Sequence, residues 1–431
     1  MEMAMRQSGL RRYLAKRGEN KAQMNILLIN HYAGSVRHGM EYRPFYMARE
    51  WVRHGHEVTI VAASHSHVRT LNPVMRGRIH EEHIEGVRYI WLNTPKYNGN
   101  GIPRTINMGA FVCALLKRAA YFKKSVRPDV VIASSTYPLD NVAARRIAIR
   151  CGAKLVYEVH DLWPLSPIEL GGMSPRHPFI RIMQWAENYA YKYSDRVVSM
   201  LPNAKEHMLK HGMAEHKFCY VPNGIDLEEW APNDVELPEL HHQTIARLRE
   251  EKRFIVGYAG AHGLANALDV VLKAADIMTS KSVEFVLVGQ GPEKESLVRQ
   301  AESLGLGNVH FLPSIPKSAI PSFLGQMDAL FIGLKRTPIF RFGISPNKLM
   351  DYMMAGKPII QAIDAGNDMV KDSDCGISIA PETPQALADA ITAIMLRNPG
   401  ERAEMGLRGR EYVVKNHDYR ILAEKFINTL T

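Results

Sequence analysis

Cysteine is scarce in this chain. Only four of its 431 residues are cysteine, and Cys113, Cys151, Cys219 and Cys375 lie far apart, with no Cys-x-x-Cys pair and no histidine at ligand spacing. That excludes a disulfide framework and a cysteine-built zinc site, and predicts four small, buried apolar residues. Long apolar runs are missing as well. No stretch approaches the ~18 apolar residues needed to cross a bilayer, and the N-terminus lacks the apolar core of a signal peptide, so a cytoplasmic protein is expected. No Asp-x-Asp motif falls at the expected ligand cleft, so no divalent metal and no other cofactor is predicted there. No nucleic-acid reading motif or interleaving of aromatic and basic residues occurs either, which leaves nucleic acid out as a partner.

A hydrophobic fraction of 46% with ordinary glycine and proline content marks a globular protein. The length exceeds what one core supports, so two domains of about 200 residues each are expected. Charge is unevenly placed within the net +10. Residues 1–150 hold 24 Lys and Arg against 10 Asp and Glu, whereas the remainder holds 30 against 34. A basic first third points to an anionic partner such as a phospholipid surface or a lipid diphosphate. Arg6, Arg11, Arg12, Lys16, Arg17 and Lys21 form a basic extension over 1–23, either an amphipathic helix or a solvated tail. Thr105–Lys124 carries Ile106, Phe111, Val112, Leu115, Leu116 and Phe122 beside Lys117, Arg118, Lys123 and Lys124. That pattern is either a membrane-interface helix or core packing with a charged end.

Short apolar runs alternate with helical stretches. Met24–Asn30, Glu57–Ala63, Val87–Leu92, Val130–Ala133, Leu155–Val159 and Val197–Ser199 read as buried parallel strands. The alternation restarts at Phe254–Gly260 and continues through Val283–Gly289, Val309–Leu312, Ala329–Gly333 and Pro358–Ala362. The predicted class is therefore α/β, with two Rossmann-like, doubly wound parallel-sheet domains facing a cleft. The expected bounds are 24–205 for the first domain, joined by a C-terminal helix at about 415–431, and 206–414 for the second. Ligands of such sheets bind at the carboxyl ends of strands.

The densest chemistry lies in Arg341-Phe-Gly-Ile-Ser-Pro-Asn-Lys-Leu-Met-Asp-Tyr-Met-Met-Ala-Gly-Lys-Pro-Ile-Ile360. Gly343 permits a tight turn, Ser345 is placed to cap a helix opened by Pro346, and the free N–H groups of that first turn, through Asn347, attract anions. Lys348 adds a point charge, and Asp351 stands one turn on, within reach of ribose hydroxyls. A glycine-rich loop, Gly257-Tyr-Ala-Gly-Ala-His-Gly263, opens the second half, where Gly260 and Gly263 admit close approach to phosphate. In Val286-Leu-Val-Gly-Gln-Gly-Pro292, Gly289 and Gly291 either keep space open or serve as plain turn residues. Glu158-Val-His-Asp-Leu-Trp-Pro164 ends a strand of the first half and places His160 at the cleft, with Asp161 either orienting it or capping the next helix.

These motifs resemble the donor site of retaining glycosyltransferases of family 4, which share the two-domain GT-B fold. The Phe-Gly-Ile-Ser-Pro-Asn-Lys-Leu run is similar to that of bacterial N-acetyl-L-fucosamine transferases of O-antigen synthesis. The family carries two Glu residues eight apart; Asp351 matches the second and Gly343 replaces the first, so the resemblance carries sugar transfer further than the identity of the sugar. It also implies that His160 reaches the donor sugar, that Leu312 and Pro313 line the base pocket, that Gly34 faces donor and acceptor, and that the last helix crosses back onto the first domain. The Arg and Lys that relatives carry along the glycine-rich loop are absent, with His262 the one candidate there, so Lys348 first and Arg341 second are expected to neutralise the diphosphate. The implied donor-binding set is Gly34, Gly260, His262, Gly263, Gly289, Leu312, Pro313, Ser345, Pro346, Asn347, Leu349 and Asp351. Implied partners are a nucleotide-sugar donor, a glycan or lipid-linked glycan acceptor and an anionic inner-leaflet surface. A nucleotide-sugar 2-epimerase and a non-catalytic partner of a polysaccharide synthase are the alternatives.

Overall fold

The computed structural model describes residues 23–99, 101–231 and 235–430; the basic stretch 1–22 lies outside them. Ile26, Leu27, Leu28 and Ile29 are all fully buried because a parallel strand is covered on both faces. They belong to β1 (Asn25–Ile29), the centre of a sheet with β2 (Glu57–Ala63), β3 (Ile79–Ile84), β4 (Val87–Leu92), β5 (Val130–Ala133), β6 (Lys154–Val159), β7 (Arg196–Ser199) and β8 (Phe218–Tyr220). Its strand order is β3-β4-β2-β1-β5-β6-β7-β8, parallel except for the β3–β4 edge. The second sheet holds β9 (Phe254–Ala259), β10 (Val283–Val288), β11 (Val309–Leu312), β12 (Ala329–Gly333), β13 (Ile359–Ala362) and β14 (Gly376–Ile379) in the order β11-β10-β9-β12-β13-β14, all parallel. Strand order reverses at β1 in one sheet and at β9 in the other. The loops that follow these two strands therefore open into the crevices where ligands of such sheets bind.

The first sheet runs past the expected boundary at 205/206. β8 pairs with β7 through Val197↔Phe218 and Ser199↔Tyr220, so the chain leaves the first domain after Tyr220. The return is also sharper than expected. Helix Pro399–His417 packs on the second domain, where Gly406 lies so close to Gly356 that a Cβ there would fall 1.9 Å from the Gly356 carbonyl oxygen. The chain then turns at Asp418, whose carboxylate accepts from the Arg420 N–H, and helix Tyr419–Asn428 packs on the first domain. Trp51 Nε1 donates to Ala423 O at 3.1 Å, and its ring meets Phe426 at 5.1 Å between centroids.

The two crossings touch. Ile225 N–H donates to His417 O at 2.8 Å, Tyr419 N–H donates back to Ile225 O at 3.2 Å, and His417 Nδ1 bonds Asn223 O at 2.8 Å. The amphipathic stretch of the first third resolves into core packing. Within helices Ile102–Lys117 and Ala119–Ser125, Phe111, Val112, Leu115 and Phe122 are buried against β1 and β5, leaving Ile102 and Ile106 exposed. Of the cysteines only Cys375 is buried; Cys113 is exposed, contrary to expectation, because it lies on the outer face of its helix.

Candidate functional site

A cleft of about 780 Å³ separates the domains and is lined from both sides. On the second-domain side the loop after β9 and the start of helix Asn347–Met354 converge. No side chain caps that helix, and Ser345, Pro346, Asn347 and Lys348 line the cleft at its start. Ser345 has a different task from the expected cap: its Oγ accepts from Asn223 N–H at 2.9 Å and its carbonyl accepts from Asn223 Nδ2 at 2.8 Å, tying the helix start to the interdomain crossing.

Lys348 is half-buried. Its Nζ donates to Tyr258 Oη at 2.7 Å and to Asn266 Oδ1 at 3.2 Å, and lies 4.1 Å from the Tyr258 ring centre. Among the described residues no carboxylate pairs with it. Burial therefore lowers its ammonium to a pKa of about 7. Gly260, with φ of 153°, runs directly beside it, and a Cβ there would lie 2.6 Å from Lys348 Cε. Asp351, one turn further along, also lines the cleft; burial pushes its carboxyl up to about 6, with Lys317 opposing and Glu229 adding to the shift.

On the first-domain side His160 sits at the end of β6. Its Nε2 donates to Ser134 Oγ at 2.9 Å, that hydroxyl donates to Glu158 Oε2 at 2.6 Å, and Glu158 Oε2 itself lies 3.4 Å from the ring nitrogen. Burial pulls the imidazole down, yet the hydrogen bond and charge of Glu158 raise it above the ordinary histidine value. Glu158 is in turn held by Arg43, whose Nε donates to Oε1 at 3.0 Å. The Arg43 guanidinium also donates to the carbonyls of Pro222 and Val221, at the interdomain crossing. Despite burial, which acts the other way, Arg43 and the neighbouring donors hold the Glu158 carboxyl at about 2. Asp161 neither contacts His160 by a side-chain hydrogen bond nor caps helix Leu165–Glu169, whose start has no side-chain cap.

The chain matches known proteins along most of its length. The family described as Glycosyl transferase 4-like domain matches residues 38–224, and Glycosyl transferases group 1 matches residues 243–412. The chain belongs to the GT-B glycosyltransferases. It is 23% identical over 393 residues to WcaI of Escherichia coli K12, whose name assigns it to colanic acid biosynthesis, covering 88% of this chain and 93% of that one. Sucrose-phosphate synthase from Thermosynechococcus elongatus superposes with a TM-score of 0.69 at 16% identity, covering 95% of this chain and 98% of that one. Anabaena HepE, solved in complex with UDP and glucose, superposes with a TM-score of 0.66 at 15% identity over 95% and 99% of the two chains.

Several residues expected at the donor site of this glycosyltransferase do other work. Arg341 forms a two-pronged pair with Glu169 of the first domain, at 2.8 Å for each contact. It latches the domains and does not line the cleft. His262 is fully buried, neither ring nitrogen has a hydrogen-bond partner among the described residues, and burial together with Lys294 and Lys348 lowers it to about 4. A neutral imidazole cannot supply the loop cation.

Gly289 serves close approach of backbone to backbone, since a Cβ would fall 1.8 Å from Gly260 O. Leu312 and Leu349 are core residues, and the Leu312 carbonyl accepts from Lys294 Nζ at 2.9 Å. Pro313 offers its carbonyl to His241 Nε2 at 2.9 Å. Gly34 closes its own loop, where a Cβ would meet Met40 O at 1.6 Å, and like Gly263 it is not among the cleft-lining residues.

Other contributors carry no local sequence signal. Lys317 lines the cleft, pairs with Glu229 at 2.6 Å and donates to Tyr46 Oη at 2.6 Å, while that phenol bonds Glu229. The signals that could have found Glu158 and Arg43 were weak: a charged residue inside an otherwise apolar strand, and a basic residue at a helix start.

Proposed function

We propose that this glycosyltransferase is a retaining enzyme that moves a sugar from a UDP-linked donor to a glycan or polyprenyl-diphosphate-linked acceptor in bacterial surface-polysaccharide synthesis. The carrying observation is Lys348, a half-buried cation with no carboxylate partner among the described residues, beside Gly260 and the uncapped helix start. A nucleoside diphosphate supplies the missing counter-charge, the helix N–H groups bind the same anion, and Asp351 accepts from the ribose. His160 faces them from the other wall, oriented through Ser134 and Glu158, and donates to a hydroxyl of the donor sugar. Bond cleavage leaves charge on the diphosphate, which Lys348 stabilises. A leaving phosphate oxygen takes the proton of the attacking hydroxyl on the same face, so neither a protein nucleophile nor a metal at the donor cleft is needed. WcaI's name places it in colanic acid biosynthesis as a glycosyl transferase, and UDP is the nucleotide in the HepE complex, which supports this donor class and role. A screen of nucleotide sugars by thermal unfolding tests the reading. The true donor at a hundred times its Kd should stabilise the protein by about 2.7 kcal/mol. Absence of stabilisation by any nucleotide sugar would sink it.

A membrane-facing role for the first domain fits its surface. No helix of the described residues is long and apolar enough to cross a membrane. Helices Asp140–Cys151 and Pro178–Tyr193 nonetheless leave Ile149, Ile182 and Trp185 exposed beside a stacked Arg145 and Tyr193, and Arg146 and Arg150 share the groove between them. Aromatic, aliphatic and basic groups together suit an anionic bilayer interface, where each Arg near the surface contributes about 1 kcal/mol. Co-flotation with vesicles containing phosphatidylglycerol, weakened by salt and by Trp185→Ala with Arg146→Ala, is the expected result. Equal flotation with purely zwitterionic vesicles would refute it.

A further inference from the structure

Away from the donor cleft, helix Pro178–Tyr193 and helix Lys205–Lys210 with the residue that ends it, His211, bring three metal-ligating side chains together. His207 and His211 are four residues apart, so both rings lie on one face, 4.5 Å between centroids. Glu187 faces them from the other helix with a buried carboxylate, and its Oε1 stands 3.3 Å from His207 Nε2. One ligand atom from each of the three lies within 4.8 Å of the others. A tetrahedral ion with nitrogen and oxygen ligands about 2.0–2.1 Å away sets those atoms about 3.3 Å apart, so small side-chain rotations close the site.

We propose that Glu187, His207 and His211 form a site for a transition-metal ion, with zinc the best fit. The donor set decides the class: two imidazoles and one carboxylate suit zinc, cobalt or nickel, whereas magnesium and calcium take oxygen ligands. The fourth position is covered by amides. Asn188 Oδ1 lies 3.2 Å from His211 Nδ1, and Gln184 Nε2 lies 2.9 Å from the same nitrogen and 2.7 Å from Glu187 Oε2. Asn188 Oδ1 or a water completes the tetrahedron, and Gln184 yields its hydrogen bonds to the ion. Tyr191 Oη donates to Glu187 Oε1 at 3.0 Å, the kind of outer hydrogen bond that orients a ligating carboxylate. No cysteine takes part, so cysteine spacing gave no sign of the site.

Its placement gives it a structural role. The His207 ring stacks edge-on against Phe342 at 5.4 Å, and Asn203 N–H donates to Phe342 O at 3.0 Å. Phe342 precedes Gly343, where a Cβ would strike Pro202 of the first domain at 2.5 Å. An ion that fixes helix Lys205–Lys210 to helix Pro178–Tyr193 therefore stiffens the platform on which the second-domain loop rests.

The test uses the untagged full chain. Equilibrium dialysis against Zn²⁺ should show one tightly held ion per chain, and Co²⁺ should give the intense visible absorption of a tetrahedral site. His207→Asn with His211→Asn should weaken that ion at least tenfold and abolish the zinc-dependent rise in Tm, while circular dichroism shows the fold retained. Equal zinc binding by the wild type and the double variant would overturn the proposal. So would a wild-type cobalt spectrum no stronger than that of the hydrated ion, a reading that does not depend on the variant folding.

Discussion

Lys348→Ala should lower turnover by about 10²–10³-fold, the effect of removing one preorganised group that stabilises charge developing in the transition state. Stability should not fall with it, because the substitution removes a half-buried cation that no carboxylate among the described residues neutralises. Arg341→Ala is the contrasting control. Its guanidinium is committed to Glu169 on an exposed rim, so turnover should change only a few-fold. If the Lys348 variant kept turnover within a few-fold of wild type, the diphosphate would be held by something else.

The same lysine should make donor binding depend on pH. Its folded value of about 7 lies below the usual 10.5. Between those values the unfolded chain holds a proton that the folded chain lacks, so the contribution of Lys348 to the stability of the free protein rises with pH through that window and is least favourable below about 7. A diphosphate alongside reverses the preference and draws a proton onto the amine. Donor affinity should therefore fall as pH rises above about 7, by up to about tenfold per unit. Calorimetry of UDP binding at pH 8, in two buffers of different ionisation enthalpy, should register proton uptake in the wild type and none in the Lys348→Ala variant.

Arg43→Met should destabilise the first domain by about 3–5 kcal/mol, since it leaves a buried carboxylate without its counter-charge. It also strips donors from the Val221 and Pro222 carbonyls. The pair has an acid signature of its own. Glu158 lies at about 2 in the fold against an ordinary 4.5, so its contribution is present above about 4.5 and lost as pH falls toward 2. Chemical denaturation at pH 7 and pH 3.5 should show this loss in the wild type and a smaller one in the variant. Adding Glu158→Gln to Arg43→Met should recover part of the deficit, because the stranded charge is then gone. A loss below about 1 kcal/mol in the single variant would mean that the ion pair is replaceable by water.

The parallel strands were legible because burial on both faces writes them as continuous apolar runs, as in β1 and β12. β3 escaped notice because it is a charged antiparallel edge, Ile-His-Glu-Glu-His-Ile, and β8 because three residues leave no period to read. The missed β8 also set the domain boundary too early. Within the site, Gly260, Lys348 and Asp351 stood out because a glycine loop and a helix start are local features. The support for His160 did not, since Arg43 reaches Glu158 across 115 positions and the Val221 carbonyl across 178. Arg341 and His262 were misjudged for a shared reason: residue type shows that a side chain can be charged, while its role depends on a partner or on burial that only the fold supplies.

The bridged crossings at Ile225 and Asp418 constrain how the domains can move. Two separate linkers would permit swivelling and sliding, but two strands bonded to each other share a single bending axis. Any hinge between the domains would therefore turn about one line, with the Arg341–Glu169 pair spanning the gap elsewhere. The register between the Lys348 wall and the His160 wall is thus fixed by covalent and hydrogen-bonded connectivity at one place in the chain.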